Sequence, residues 1–191
     1  MKLIFATNNP NKVKEVKNKL TSFEIITLKE IGITEDIPET GKTLAENALQ
    51  KARYVYKKTG KNCFADDTGL EIESLNNEPG VYSARYAGEE KNSDKNMNLV
   101  LENLKPKTNR NACFKTVIAL IINGKEILFE GKVDGEITEI KTGQDGFGYD
   151  PIFKPKGYEL TFAEMELSEK NKISHRAFAV KKLVRFLSEN T

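Results

Sequence analysis

The sequence predicts an α/β fold built on a mixed β-sheet. Two observations predict it. Through the first part of the chain, short apolar runs alternate with helix-period segments, the pattern of strands joined by helices. Further on, Asn123-Gly124 separates two strand-like runs and marks an antiparallel hairpin.

Lys2 to Ala6 reads as a buried strand, and Thr7 to Asn9 as a polar turn. Pro10 suits the first position of a helix capped by Asn9, with Val13, Val16 and Leu20 on its apolar face. Phe23 to Leu28 is a second strand, and Gly32 to Gly41 a loop carrying Glu35, Asp36 and Glu39. Thr43 and Glu46 form a capping box for a helix striped by Leu44, Ala48, Ala52, Val55 and Tyr56. Cys63–Ala65 and Leu70–Ile72 read as short strands around Asp66 and Asp67, with a polar turn at Thr68-Gly69. A helix starts at Ser93, with Met97, Val100, Leu101 and Leu104 at helical spacing. Ala112–Ile122 and Glu126–Glu130 form the hairpin, and Val133–Ile140 extends it. Gly143, Gly146 and Gly148 mark a loop before Asp150-Pro151, and a last helix runs from about Ser174 to Leu187. The resulting order, β-α-β-α-β then helix, hairpin and closing helix, calls for a mixed sheet.

Composition bounds the function. The 191 residues suit one domain, with 38% hydrophobic and 30% charged residues, as in a soluble globular chain. A net charge of +2 supplies no whole-surface field for nucleic acid or an anionic membrane. Cys63 and Cys113 lie in apolar runs and read as buried free thiols rather than a disulfide scaffold. The apolar run after Lys2 is too short for a signal peptide, and no run is long enough to span a membrane. The expected compartment is the reducing cytoplasm.

Chemistry concentrates in a few stretches. Asp66 and Asp67 end a buried run, and adjacent strand residues face opposite sides. One acid therefore faces a given site, while the other bonds backbone, binds a second group or meets solvent. Thr7-Asn8-Asn9-Pro10-Asn11-Lys12 opens a helix, where backbone N–H groups favour an anion; alone it reads as an ordinary capped turn. Gly41-Lys42-Thr43 is not a P-loop, because Asp36 stands where the motif needs glycine. Lys51 lies roughly 140° around its helix from Glu46. In Gly146-Phe147-Gly148-Tyr149-Asp150-Pro151 the aromatic suits either stacking on a flat ring or a tight-turn core. His175 is the only histidine, which excludes a multi-histidine zinc site. With Arg176 it opens the last helix, where cations oppose the helix dipole unless an acceptor-rich group faces them.

Together these stretches resemble the inosine triphosphate pyrophosphatase family. The matching segments are Thr7 to Lys12, Glu39-Thr40-Gly41 through Glu46-Asn47-Ala48, Ala65 to Leu70, Pro79 to Tyr86, Gly146 to Pro151, and Glu169-Lys170 through Ser174-His175-Arg176, all in family order. The turn reads Thr-Asn-Asn where many members have Thr-Gly-Asn. The resemblance implies an elongated mixed sheet flanked by helices, in a single 1–191 domain of two lobes with a nucleotide cleft between them. It implies hydrolysis of deaminated purine triphosphates (ITP, dITP, XTP) to the monophosphate and pyrophosphate, a Mg2+ requirement with Mn2+ as the alternative, and a homodimer.

On that resemblance, Asp67 and Glu39 hold the metal, and Asp67 or Asp66 acts on the attacking water. Thr7, Asn8, Asn9, Pro10, Asn11, Lys12, Lys51 and Thr68 line the phosphates. Phe147, Gly148, Tyr149, Asp150, Lys170, His175 and Arg176 receive the base. Arg176 has only donors, so a 6-oxo purine satisfies it and a 6-amino purine does not, a difference worth about 10⁴-fold at a well-built site. Two rivals compete with this reading: a nucleotide sensor without turnover, and a pyrophosphatase for methylated or pyrimidine nucleotides.

Overall fold

The computed structural model describes residues 1–190. Its architecture is mixed α/β. The elements are β1 (Lys2–Phe5), α1 (Pro10–Lys17), β2 (Glu24–Thr27), α2 (Leu44–Thr59), β3 (Cys63–Ile72), β4 (Glu78–Gly80), α3 (Ser93–Leu104), β5 (Asn111–Ile122), β6 (Lys125–Ile137), β7 (Phe153–Pro155), α4 (Leu167–Ile173) and α5 (His175–Asn190), with short 3-10 turns between them. The strands are hydrogen-bonded in the order β2-β1-β3-β5-β6-β7, with β4 beside β3. The chain forms two compact units: Met1–Asp67, Thr116–Gly131 and the described residues from Arg176 onward make the first; Thr68–Lys115 and Lys132–His175 make the second.

In the first unit β1 pairs in parallel with β2, Leu3 opposite Ile25, and with β3, Phe5 opposite Phe64. Strand alternation divides the core between two faces. Leu3, Phe5 and Phe64 pack with Val16, Val180, Leu183 and Leu187, under α1 and α5. Ile4, Ala6, Cys63 and Ala65 pack with Ala48, Ala52 and Val55 of α2. The Phe5 and Phe64 rings stack at 4.5 Å. The helices start as their sequences require. Asn9 accepts from the backbone N–H groups of Asn11 and Lys12, and Thr43 and Glu46 complete a capping box. Asn123 and Gly124 both take positive φ, 50° and 77°, as a two-residue hairpin turn demands.

The second unit packs Leu70, Ile72, Val100, Leu104, Ile137 and Ile152 with an aromatic set of Phe114, Phe153 and Phe162. There β4 runs antiparallel to β3, Glu71 opposite Pro79, and β7 antiparallel to β6, Glu136 opposite Lys154.

Three expectations change. The segments either side of the acid pair are one ten-residue strand, without a turn at Thr68-Gly69. Nearly every residue of it is buried, and buried backbone groups must be paired, so the ladder overrides the turn propensity of Asp-Thr-Gly. The two segments after the hairpin are likewise one strand, Lys125–Ile137. Helix α4 was not foreseen, because Leu167–Ile173 is short and mostly polar and shows no apolar period. Of the cysteines, Cys63 is buried and Cys113 half-buried, both free.

Candidate active site

The site begins with the alternation of β3. Phe64 belongs to the face covered by α1 and α5, and Ala65 to the face covered by α2. By the same period Asp66 faces α1 and α5, and Asp67 faces α2. Both are buried, at 1% and 8% exposure. Two carboxylates cannot stay ionised there without partners, and each face provides them.

On the first face Lys12 Nζ lies 3.1 Å from Asp66 Oδ1. Arg176 Nε donates to Asp66 Oδ2 at 3.0 Å, and a terminal guanidinium nitrogen donates to Glu15 Oε2. Arg176 is 2% exposed and Glu15 is buried. Burial pushes the Asp66 carboxyl up, but Lys12, Arg176 and Lys51 together outweigh it and hold the group well below the usual carboxylate range. Burial lowers the Lys12 ammonium from its ordinary value, and Asp66 offsets that only in part. Thr7 Oγ1 accepts from the backbone N–H of Asn9, and exposed Asn8 donates to the Glu35 carbonyl. Pro10 is the first helical residue and Asn11 is exposed beside it.

On the second face Asn47 Nδ2 donates to Asp67 Oδ2 at 3.1 Å, and Lys51 Nζ stands 3.5 Å from Asp67 Oδ1. The same ammonium is bonded to Glu39. Burial raises the Asp67 carboxyl above its ordinary value despite Lys51 and Lys12, and Glu39 adds to the rise. Lys51 is raised in turn, since Asp67 and Glu39 more than offset its burial. Glu46 is committed elsewhere: its Oε2 accepts from the backbone of Lys42 and Thr43.

The Lys51 ammonium marks the point where Glu39 and Asp67 converge on positive charge. Two carboxylates at such a point suit Mg2+, which takes one or two protein oxygens and fills its shell with water and phosphate oxygens. Among the described residues no group of three or more His, Cys, Asp or Glu comes together that could hold a metal ion.

The second unit holds the aromatic set. Lys170 Nζ donates to Asp150 Oδ2 at 2.7 Å, and the backbone N–H of Phe147 donates to the same oxygen at 2.7 Å. Lys170 also stands 4.9 Å from the Phe147 ring centroid. Gly146, at φ +80°, leaves room for Asp150; a Cβ there would fall 2.2 Å from Oδ2. Gly148 also takes positive φ. Tyr149 is buried and donates its hydroxyl to the Ser83 carbonyl at 2.8 Å. His175 is buried, its ring stacked 4.5 Å from Phe114. Thr68 is half-buried in β3.

The sequence alone assigns no site role to Glu15, or to Asn47 within its matching segment. Asn47 gives a signal, a polar residue one turn from Leu44 on α2; Glu15 gives none, because it lies roughly 100° around α1 from Val16, off the Val13, Val16 and Leu20 stripe. Glu15 adjoins Val16 in α1, and Asn47 stands with Leu44, Ala48 and Lys51 on the buried side of α2.

With this geometry in place, comparison with known proteins is specific. Residues 3–186 match the Ham1 family. A dITP/XTP pyrophosphatase of Christiangramia forsetii is 56% identical over 190 residues, covering 99% of this chain and 100% of the relative. The dITP/XTP pyrophosphatase of Bacillus subtilis is 50% identical over 189 residues, with 96% of each covered. Among solved structures, the Staphylococcus aureus Ham1 protein matches with a TM-score of 0.91 at 38% identity over 100% of both chains. A HAM1 protein from Coxiella burnetii matches with a TM-score of 0.91 at 39% identity over 99% of both. A buried, charge-paired Asp66-Asp67 strand within a full-length match to these proteins makes the chain a member of the Ham1 family.

Proposed function

We propose that this chain is a hydrolase that cleaves dITP, XTP and ITP between the α- and β-phosphates, releasing the nucleoside monophosphate and pyrophosphate. The dITP/XTP pyrophosphatases it resembles over nearly its whole length support the reaction. The observation that carries the mechanism is the unequal treatment of two adjacent acids. Asp66 is fixed as an anion between Lys12 and Arg176, whereas burial raises the proton affinity of Asp67.

In this reading Asp67, the acid not pinned between two cations, is the base. Its carboxylate takes a proton from the water that attacks the α-phosphorus, and the pyrophosphate leaves. Glu39 and Asp67 would hold Mg2+, or Mn2+ in its place, which when bound supplies positive charge to the phosphate oxygens. Lys12 and Lys51 add fixed positive charge, the usual large contribution in phosphoryl transfer. Thr7, Asn8, Asn9, Pro10, Asn11 and Thr68 complete the phosphate-binding set. Phe147 stacks on the purine, and Gly148, Tyr149, Asp150, Lys170 and His175 shape its pocket. Asp66 and Glu15 hold the Arg176 guanidinium in one orientation, which a donor must have to bond a 6-oxo acceptor and refuse a 6-amino donor. A homodimer is part of the proposal, checked by sedimentation velocity.

The test is pyrophosphate release from dITP, XTP, GTP, ATP and dTTP, with Asp67→Asn beside the wild type. The wild type should favour dITP and XTP. Asp67→Asn should lose release while still binding dITP. Turnover surviving in Asp67→Asn, or a pyrimidine substrate preferred over dITP, would sink the reading.

A further inference from the structure

We propose that Asn47 is a positioning residue that locks Asp67 and the Glu39 segment into one geometry. The proposal rests on the function just assigned and deepens it. Asn47 is 1% exposed on the buried side of α2. Its two amide atoms have different tasks. Oδ1 accepts from the backbone N–H of Gly41 at 2.8 Å, and Nδ2 donates to Asp67 Oδ2 at 3.1 Å. That orientation is fixed by chemistry, because a backbone N–H only donates and a carboxylate only accepts. A flipped amide would oppose donor to donor and acceptor to acceptor.

Gly41 lies two residues beyond Glu39. The intervening Thr40 is also tied to α2, its N–H donating to Gln50 Oε1 at 3.0 Å. A Cβ on Gly41 would fall 2.6 Å from Glu46 Cβ and 2.8 Å from Asn47 Oδ1, so glycine is what admits the approach. On the other side, holding Asp67 Oδ2 leaves Oδ1 as the oxygen nearest Lys51, the cation shared with Glu39. One amide thus ties Asp67 to the backbone segment that carries Glu39, the other carboxylate proposed to hold the metal. Asparagine is the only residue of this size with the required donor and acceptor. Aspartate keeps the acceptor for Gly41 and sets a carboxylate against Asp67, and leucine keeps neither.

The experiment uses the full-length chain with Asn47→Leu, Asn47→Asp and Gly41→Ala. Mn2+ binding without nucleotide is read by electron paramagnetic resonance, and kcat and KM for dITP are measured at saturating Mg2+. Loss of a group that orients a metal ligand typically costs about 10–100-fold in metal affinity or activity. Asn47→Leu should weaken Mn2+ binding and lower kcat by that order, with KM for dITP little changed. Gly41→Ala should reproduce both effects, and it decides the matter if Asn47→Leu does not fold. Asn47→Asp should lower kcat as well; wild-type kcat in that variant would refute the contact with Asp67. Mn2+ affinity and kcat of Asn47→Leu within about twofold of wild type, well short of that loss, would overturn the proposal. An inactive wild type, or an active Asp67→Asn, would overturn the assigned function instead.

Discussion

Arg176→Met asks whether the buried charges around Asp66 hold the first unit together. The guanidinium is 2% exposed, with Nε 3.0 Å from Asp66 Oδ2 and a terminal nitrogen on Glu15. At that separation, with an effective dielectric of about 20, the attraction is about 5 kcal/mol per contact before desolvation. Methionine keeps much of the side-chain volume, so overpacking and cavity effects are minor. What changes is charge. Glu15 and Asp66 stay buried, and Lys12 remains 3.1 Å from Asp66. Removing one member of a buried ion pair costs about 3–5 kcal/mol, a large part of a total stability of about 5–15 kcal/mol. For a chain of this size that lowers Tm by roughly 6–20 °C. Thermal and urea unfolding followed by circular dichroism at pH 7 measures it. A double-mutant cycle with Glu15→Gln should give a coupling of about 1–3 kcal/mol, because the second change removes an acid the first has orphaned. A Tm within about 2 °C of wild type, against the expected shift, or strictly additive losses, would refute the reasoning.

Asp66→Asn should destabilise the chain most at neutral pH. The folded pKa of Asp66 is depressed, so its contribution is full above the ordinary carboxylate value of about 4 and is lost as pH falls through the folded value; urea midpoints of wild type and variant should converge toward acid. Phe147→Ala should raise KM for dITP by roughly tenfold with a smaller change in kcat, since stacking on an aromatic ring is worth about 1–3 kcal/mol per base, and steady-state kinetics decides. Tyr149→Phe removes only the hydroxyl that donates to the Ser83 carbonyl and should cost about 1 kcal/mol in urea unfolding. Burial pushes the Cys63 thiol up to about 12 and Cys113 up to about 11, so neither should react readily with a thiol reagent in the folded chain at pH 8, and both should react in urea.

The elements that sequence located well are those whose signals are local. Asn9-Pro10 and Thr43 with Glu46 cap their helices as expected, and Asn123-Gly124 turns the hairpin. The strand through Asp66 and Asp67 was harder, because Asp-Thr-Gly carries turn chemistry, and only pairing along both parts of β3 shows that the chain continues as one strand. Among candidate site residues, Asp66, Asp67, Glu39, Lys12, Lys51 and Arg176 could be named from motifs, but not who partners whom. Glu15 and Arg176 are separated by 161 positions, and no periodicity reports a contact at that range. Asn47 was hidden for a different reason. Its polarity was visible, yet its double role depends on Gly41 approaching α2 closely enough to be reached.

The surroundings of the two acids are not interchangeable, and the reason lies in the strand. A shift of one residue along β3 would turn Asp66 toward α2 and Asp67 toward α1 and α5. It would place the acid that has two close cations where one amide and one shared ammonium now stand. A base needs a carboxylate whose proton affinity has not been spent on its partners. Asp66 fails that requirement because Lys12 and Arg176 stabilise its charge beyond what burial takes away. Asp67, the proposed base, is held less tightly: Lys51 is shared with Glu39, and Asn47 contributes a single neutral hydrogen bond. The strand thus separates the acid held by Lys12 and Arg176 from the acid proposed as the base, one on each face, and the backbone period keeps the two from being exchanged.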